Sequence, residues 1–129
     1  MKRGPDVTSR KDLLTFIEAR GFTDAWARLK LGVEALLELQ LAILRNAKAG
    51  DVIQGTGGLR KLRFAPSRWR TGKSGALRVL YVYFEEFGIV LLTFVYSKKE
   101  TADFSAAQKR SIREFIERER KIFARRAGK

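Results

Sequence analysis

The chain has 129 residues, 45% of them hydrophobic, and sets 27 Lys and Arg against 14 Asp and Glu for a formal net charge of +13. That length suits one domain with a single core, and the ordinary hydrophobic fraction excludes charge-driven disorder. There is no Cys and no His, so disulfides and thiolate metal sites are excluded, a zinc site would have to be built from carboxylates alone, and proton transfer falls to Lys, Arg, Tyr, carboxylates or water.

Residues 1–11 are polar and basic with Gly4 and Pro5, and read as a flexible tail ahead of a single domain over 12–129. No apolar segment follows Met1-Lys2-Arg3, and the run Ile89–Leu92 is far too short to cross a bilayer, so a soluble cytoplasmic protein without a membrane partner is expected. Leu13–Glu18 reads as a short strand. Thr23-Asp24 marks a helix start, followed by Ala25, Trp26 and Leu29. From Val33 to Ala47, apolar residues at 33, 36, 37, 41 and 44 share one helical face. Leu39 and Ile43 lie off that stripe, so the helix is either buried on more than one side or covered by a partner. Gly55, Gly57 and Gly58 mark a bent or closely approached turn.

Leu59–Phe64 then reads as a strand whose period of two puts Leu59, Lys61 and Arg63 on one face and Arg60, Leu62 and Phe64 on the other. Ala65–Gly75 is a basic loop. Leu77–Phe84 and Ile89–Tyr96 form a hairpin around Glu85-Glu86-Phe87-Gly88, apolar at nearly every position as central strands are. Ser105 begins a helix that runs to Ala124, with Gln108 completing a capping box and Ile112, Phe115, Ile116, Ile122 and Phe123 facing inward. The expected fold is α+β: a small antiparallel-rich sheet with an N-terminal helical pair and a C-terminal helix, in the order β-α-α-β-β-β-α.

Between Val52 and Phe84 there is no acidic residue, yet the window holds Arg60, Lys61, Arg63, Arg68, Arg70, Lys73 and Arg78, with Trp69, Tyr81 and Tyr83 among them. An unneutralised field of this sign gathers polyanions, above all phosphate backbones. Gly72-Lys73-Ser74 has the look of a P-loop end, but Ser67 stands where that motif needs Gly and a strand follows instead of a helix.

The string Gly50-Asp51-Val52-Ile53-Gln54-Gly55-Thr56-Gly57-Gly58-Leu59-Arg60-Lys61-Leu62-Arg63, then Gly72-Lys73-Ser74-Gly75, Arg78-Val79-Leu80-Tyr81 and Tyr96-Ser97-Lys98-Lys99-Glu100, together resemble the RelE superfamily of toxin–antitoxin toxins, in particular its HigB-type branch. The likeness runs from about Leu13 to Phe123. It implies a metal-independent, cofactor-free mRNA endonuclease that acts on mRNA in the ribosomal A site beside ribosomal RNA and is inhibited by a cognate antitoxin. It places the catalytic groups at Lys61, Arg63, Arg78 and Lys98. A second Lys is common in such enzymes where this chain has Arg63. Some relatives use a tyrosine as acid or base where this chain has Phe104, which cannot transfer a proton. Tyr81, Tyr83 and Tyr96 remain as phenols, and strand tyrosines are ordinarily core.

The residue chemistry points the same way. Cleavage through a 2′-hydroxyl requires proton removal, charge neutralisation at the phosphorane and protonation of the leaving oxygen; Lys61 and Arg63 face one way, and Arg78 needs an anionic or polar partner among apolar neighbours. Arg binds phosphate as a fork but is a poor proton donor or acceptor, so acid–base work leans on Lys61. Arg60, Arg68, Arg70 and Lys73 are candidates for RNA binding, with Trp69 either a base-stacking platform or a hydrophobic plug. Two other readings stay open: a ParE-like toxin that binds DNA gyrase without catalysis, and a plain RNA-binding module. The gathering of Lys61, Arg63 and Arg78 on one face speaks against the first, and cutting of translated mRNA upon induction separates the endonuclease reading from both.

Overall fold

The computed structural model describes residues 13–69, 76–97 and 103–128. The elements are β1 (Thr15–Glu18), α1 (Arg20–Arg28), α2 (Gly32–Arg45), β2 (Asp51–Val52), β3 (Leu59–Phe64), β4 (Leu77–Phe84), β5 (Ile89–Ser97) and α3 (Ala106–Arg126), with a 3-10 turn at Glu85–Phe87 between β4 and β5. The expected order is observed, with the two-residue β2 added. The sheet runs β1-β5-β4-β3-β2; β1 lies parallel to β5 and every other pair is antiparallel.

Helices α1 and α2 cover one face of this sheet and α3 covers part of the other. On the first face Phe22, Trp26, Ala35, Leu39 and Ile43 pack on Leu77, Val79, Tyr81, Val90, Leu92 and Val95. On the second, Ile116 and Phe123 pack on Leu59, Leu80, Val82, Phe84 and Leu91. With a helix layer on each side, β4 and β5 read as continuous apolar runs.

Helix α1 starts at Arg20, earlier than Thr23-Asp24 suggests. Ala19 takes the cap position without a side-chain bond, while the Thr23 hydroxyl, inside the helix, donates to Glu18 at 2.6 Å. The α3 start is as expected: the Ser105 side chain accepts from the Gln108 amide and the Gln108 side chain accepts from the Ser105 amide.

The orientation of α2 departs from the sequence reading. Its buried residues are Ala35, Leu39 and Ile43; of the stripe picked out by hydrophobic spacing, Leu36 is half-buried against the core and the rest faces outward: Val33 is 81% exposed, Leu37 54%, Leu41 41% and Leu44 37%. The helix is apolar around most of its circumference, so periodicity alone could not choose which side meets the sheet.

The glycines of Gly55-Thr56-Gly57-Gly58 serve both expected purposes. Gly55 and Gly57 have φ of +87° and +80°, the region that favours glycine, and a Cβ on Gly57 would lie 3.2 Å from Arg113 Cγ of α3. Arg113 in turn donates to the Gly55 carbonyl. Buried Thr56 closes the turn, donating to the Ile53 carbonyl at 2.6 Å and accepting from the Leu59 amide at 3.0 Å.

Tyr81 is a structural phenol. Its hydroxyl donates to the Ala47 carbonyl at 2.9 Å and accepts from the Gly50 amide at 3.0 Å, stitching the segment after α2 to β4. Burial pushes its pKa above the ordinary tyrosine value, against the Gly50 hydrogen bond and the nearby Arg60 charge. Tyr81→Phe removes both bonds and leaves two backbone groups unpaired. It is expected to lower stability by about 1–3 kcal/mol, read from the urea midpoint at constant m-value.

Candidate active site

The second sheet face is apolar where α3 lies on it and basic beyond. Pairing arranges its side chains in rows across β3, β4 and β5. Leu59 and Val82 are register partners, as are Val82 and Leu91, and all three are buried on the α3 side. The next row is Lys61, Leu80 and Phe94. The row farthest along is Arg63, Arg78 and Tyr96. Register partners share a face, so Lys61, Arg63 and Arg78 converge as the sequence suggests. Lys61 and Arg63 are exposed and Arg78 is half-buried. Among the described residues none of the three is in an ion pair; the Arg78 guanidinium makes one long hydrogen bond, 3.4 Å, to the Ala76 carbonyl.

A β-bulge brings Tyr96 into this row. Below it the β4–β5 pairing runs from Phe84 with Ile89 to Tyr81 with Leu92; above it Leu80 pairs with Phe94 and Arg78 with Tyr96. The extra residue is Thr93, whose hydroxyl donates to the Leu80 carbonyl at 2.9 Å. An uninterrupted ladder would set Val95 opposite Arg78. The bulge turns Val95 into the α1/α2 core instead and delivers a phenol to the cationic face. Tyr96 is 5% exposed. Burial raises its pKa above the ordinary tyrosine value; the Arg78 charge opposes that rise and Asp103 adds to it.

A carboxylate also joins the face. Asp51 of β2 is the register partner of Lys61 and is exposed. The sequence window from Val52 to Phe84 is free of acids, but strand pairing sets one beside its central lysine. Beyond these groups, a groove of about 360 Å³ runs between α3 and the sheet, lined by Leu80, Phe94, Tyr96, Phe104, Ile112 and Phe115 among others. Phe104 therefore lies at the margin of the cationic face as a wall. Among the described residues no three acidic side chains gather as a metal site, and no helix is long and apolar enough to cross a membrane.

Three candidates sit elsewhere. Arg60 points to the opposite face, where its guanidinium donates to the Gly50 carbonyl at 2.7 Å and the Lys48 carbonyl at 3.2 Å. Arg68 donates to the Leu31 and Lys30 carbonyls at 2.7 and 2.9 Å. It thereby closes the turn between α1 and α2, where Lys30 has a positive φ of 56°. Trp69 packs half-buried against the α1/α2 core, the plug arrangement rather than a stacking platform. These three are tied into the scaffold and are not brought to the Arg63–Arg78–Tyr96 row. Arg70, Lys73 and Lys98 lie outside the described residues.

Glu38 of α2 holds the start of the basic loop, accepting from the Ser67 amide at 2.8 Å and the Ser67 hydroxyl at 2.7 Å. These bonds keep its carboxyl below the ordinary glutamate pKa. A depressed carboxylate contributes stability above its unfolded pKa and loses it as pH falls through the folded one, so this tether is an acid-sensitive one.

No known family profile matches the chain. Among solved structures, a doubly substituted mutant of the E. coli toxin RelE in the free state aligns at 16% identity with a TM-score of 0.46, covering 64% of this chain and 81% of that one. The intact E. coli RelBE toxin–antitoxin complex aligns at 18% identity and a TM-score of 0.48, covering 71% of this chain and 100% of the matched one. The chain is similar to RelE. A conserved hypothetical protein of Helicobacter pylori aligns at 14% identity and a TM-score of 0.41, covering 68% of this chain and 98% of that one.

Proposed function

We propose that this chain is the toxin of a type II toxin–antitoxin pair, a RelE-superfamily endoribonuclease of the HigB-type branch that cuts mRNA in the ribosomal A site and is held inactive by a cognate antitoxin. The observation that carries the reading is the row Arg63–Arg78–Tyr96, one register step from Lys61, in which Lys61 and Arg63 are exposed, Arg78 is half-buried and Tyr96 is buried at the edge of the α3-side core. Among the described residues these cations are not spent on ion pairs, unlike Arg120 of α3, which is paired with Glu86 and Glu117.

In the proposed reaction the 2′-hydroxyl oxygen attacks the adjacent phosphorus, the bond from phosphorus to the 5′-oxygen breaks, and a 2′,3′-cyclic phosphate and a 5′-hydroxyl result. Arg63 and Arg78 bind the phosphate oxygens and stabilise the added charge of the phosphorane. Asp51 accepts the proton of the 2′-hydroxyl, with Lys61 beside it positioning that hydroxyl. Tyr96 gives a proton to the leaving 5′-oxygen. Its pKa, raised by burial, keeps the phenol protonated and able to donate at neutral pH. Tyr96→Phe is expected to lower single-turnover cleavage by roughly 10²-fold and to abolish the fall in rate expected at alkaline pH as the phenol of the unaltered protein ionises. A Phe variant with unchanged rate and pH profile would remove Tyr96 from the reaction.

The overall reading is tested by expressing the chain without its partner. Growth arrest with breaks inside translated messages, mapped by primer extension, is the expected result. Arrest without broken mRNA would instead mark a non-catalytic toxin of the gyrase-binding kind. Purified protein that cuts naked RNA as fast as ribosome-bound mRNA would overturn the ribosome-dependent step.

A further inference from the structure

We infer that the outward stripe of α2 is a self-association surface, on which a second copy of this chain packs its own α2 antiparallel about a two-fold axis. Val33, Leu37, Leu41 and Leu44 are the exposed large apolar residues of this helix, and their i, i+4, i+8, i+11 spacing makes one continuous strip. An apolar strip of this extent on an otherwise highly charged chain marks an interaction site.

Charge selects the occupant. The chain as a whole is +13, and two copies meeting through most of its surface would repel. Helix α2 is the exception, since it carries Glu34 and Glu38 against Arg45 alone. Moreover, its charges are placed to suit themselves. Glu34 and Arg45, both exposed, stand on the same flank of the strip at opposite ends of the helix. In an antiparallel two-fold pair, residues on the same flank come together, so Glu34 of each copy meets Arg45 of the other. That same placement interleaves Val33 with Leu44 and Leu37 with Leu41 across the axis. Antiparallel helices also set the macrodipoles in favourable opposition. The surface is distinct from the proposed cleavage site: α2 covers the other side of the sheet, so both cationic faces stay open in the pair.

The strip is small against a standard interface, so the expected dissociation constant is on the order of 10 µM. Sedimentation velocity on the full chain between about 5 and about 200 µM brackets that range and should show the mass rising from one copy to two. Leu37→Glu/Leu41→Glu should stay monomeric throughout with an unchanged circular dichroism spectrum. Glu34→Arg should weaken the pair by roughly 5-fold or more, and Glu34→Arg/Arg45→Glu should restore it, since the reversed charges meet again across the axis. A wild-type chain that remains monomeric over the whole range overturns the inference, as does a dimer that survives Leu37→Glu/Leu41→Glu. If the wild type is monomeric while the same double variant loses capture of its cognate antitoxin, the strip is the antitoxin's and not a second copy's.

Discussion

Arg78→Ala is expected to reduce single-turnover mRNA cleavage by two to three orders of magnitude, about 3–4 kcal/mol of lost transition-state stabilisation, with the fold left intact. Arg78 lies in the middle of its row, between Arg63 on β3 and Tyr96 on β5. Among the described residues its guanidinium is committed to one long bond, to the Ala76 carbonyl. A half-buried cation so placed can take a phosphate oxygen without first giving up a strong partner. Stability, read as the urea midpoint, should move by no more than about 0.5 kcal/mol. Arg60→Ala removes the same charge from the same hairpin but from the opposite face. That variant should keep its cleavage rate while losing stability through its bonds to Gly50 and Lys48. Equal loss of cleavage in both variants would mean that net charge, not the row, is what matters.

Leu39→Ala is expected to cost about 2–5 kcal/mol, because Leu39 is 0% exposed between α2 and the sheet. Leu37→Ala and Leu41→Ala, in dilute solution where the chain is monomeric, should each stay within about 0.5 kcal/mol of the unaltered protein. Three leucines of one helix thus separate its two faces by denaturant titration alone. A comparable loss at Leu41 would mean that the outward stripe belongs to the core.

The α2 result shows where sequence reading reached its limit. Strand parity was legible: the alternation in Leu59–Phe64 set Lys61 and Arg63 together against Arg60, and the structure agrees. The α3 cap and the hairpin around Gly88 were legible too, because Ser105 with Gln108 and a glycine at φ +63° are local chemistry. The orientation of α2 was not, since Leu and Ile occupy both of its sides and only packing on the sheet decides between them. Tyr96 was one of three phenols in view, but its place beside Arg78 was illegible for a different reason. One inserted residue at Thr93 reverses the parity of everything after it in β5, and no residue type announces that bulge. Asp51 lies one residue before the acid-free window, and only the pairing of β2 with β3 brings it across the sheet to Lys61. The anchoring roles of Arg60 and Arg68 depend on which backbone carbonyls lie within reach, a tertiary fact that positive charge does not reveal.

The parallel pairing of β1 with β5 also has a consequence for the order of events on the ribosome. Thr15 finds its partner in Ile89, and Glu18 in Leu92, so β1 must wait for β5. Closing so long a loop is entropically costly until the β4–β5 hairpin exists to receive it, and contacts of this separation slow folding. Phe22 and Trp26 pack with Leu31, Ala35 and Leu39 close by in the chain, but the rest of their cover comes from this distant part of the sheet and is missing until it has been made. A nascent chain in that condition is a target for chaperones and proteases. Whatever binds the finished domain therefore acts on a chain whose sheet is complete only once β5 has been made, a built-in delay between the synthesis of β1 and activity.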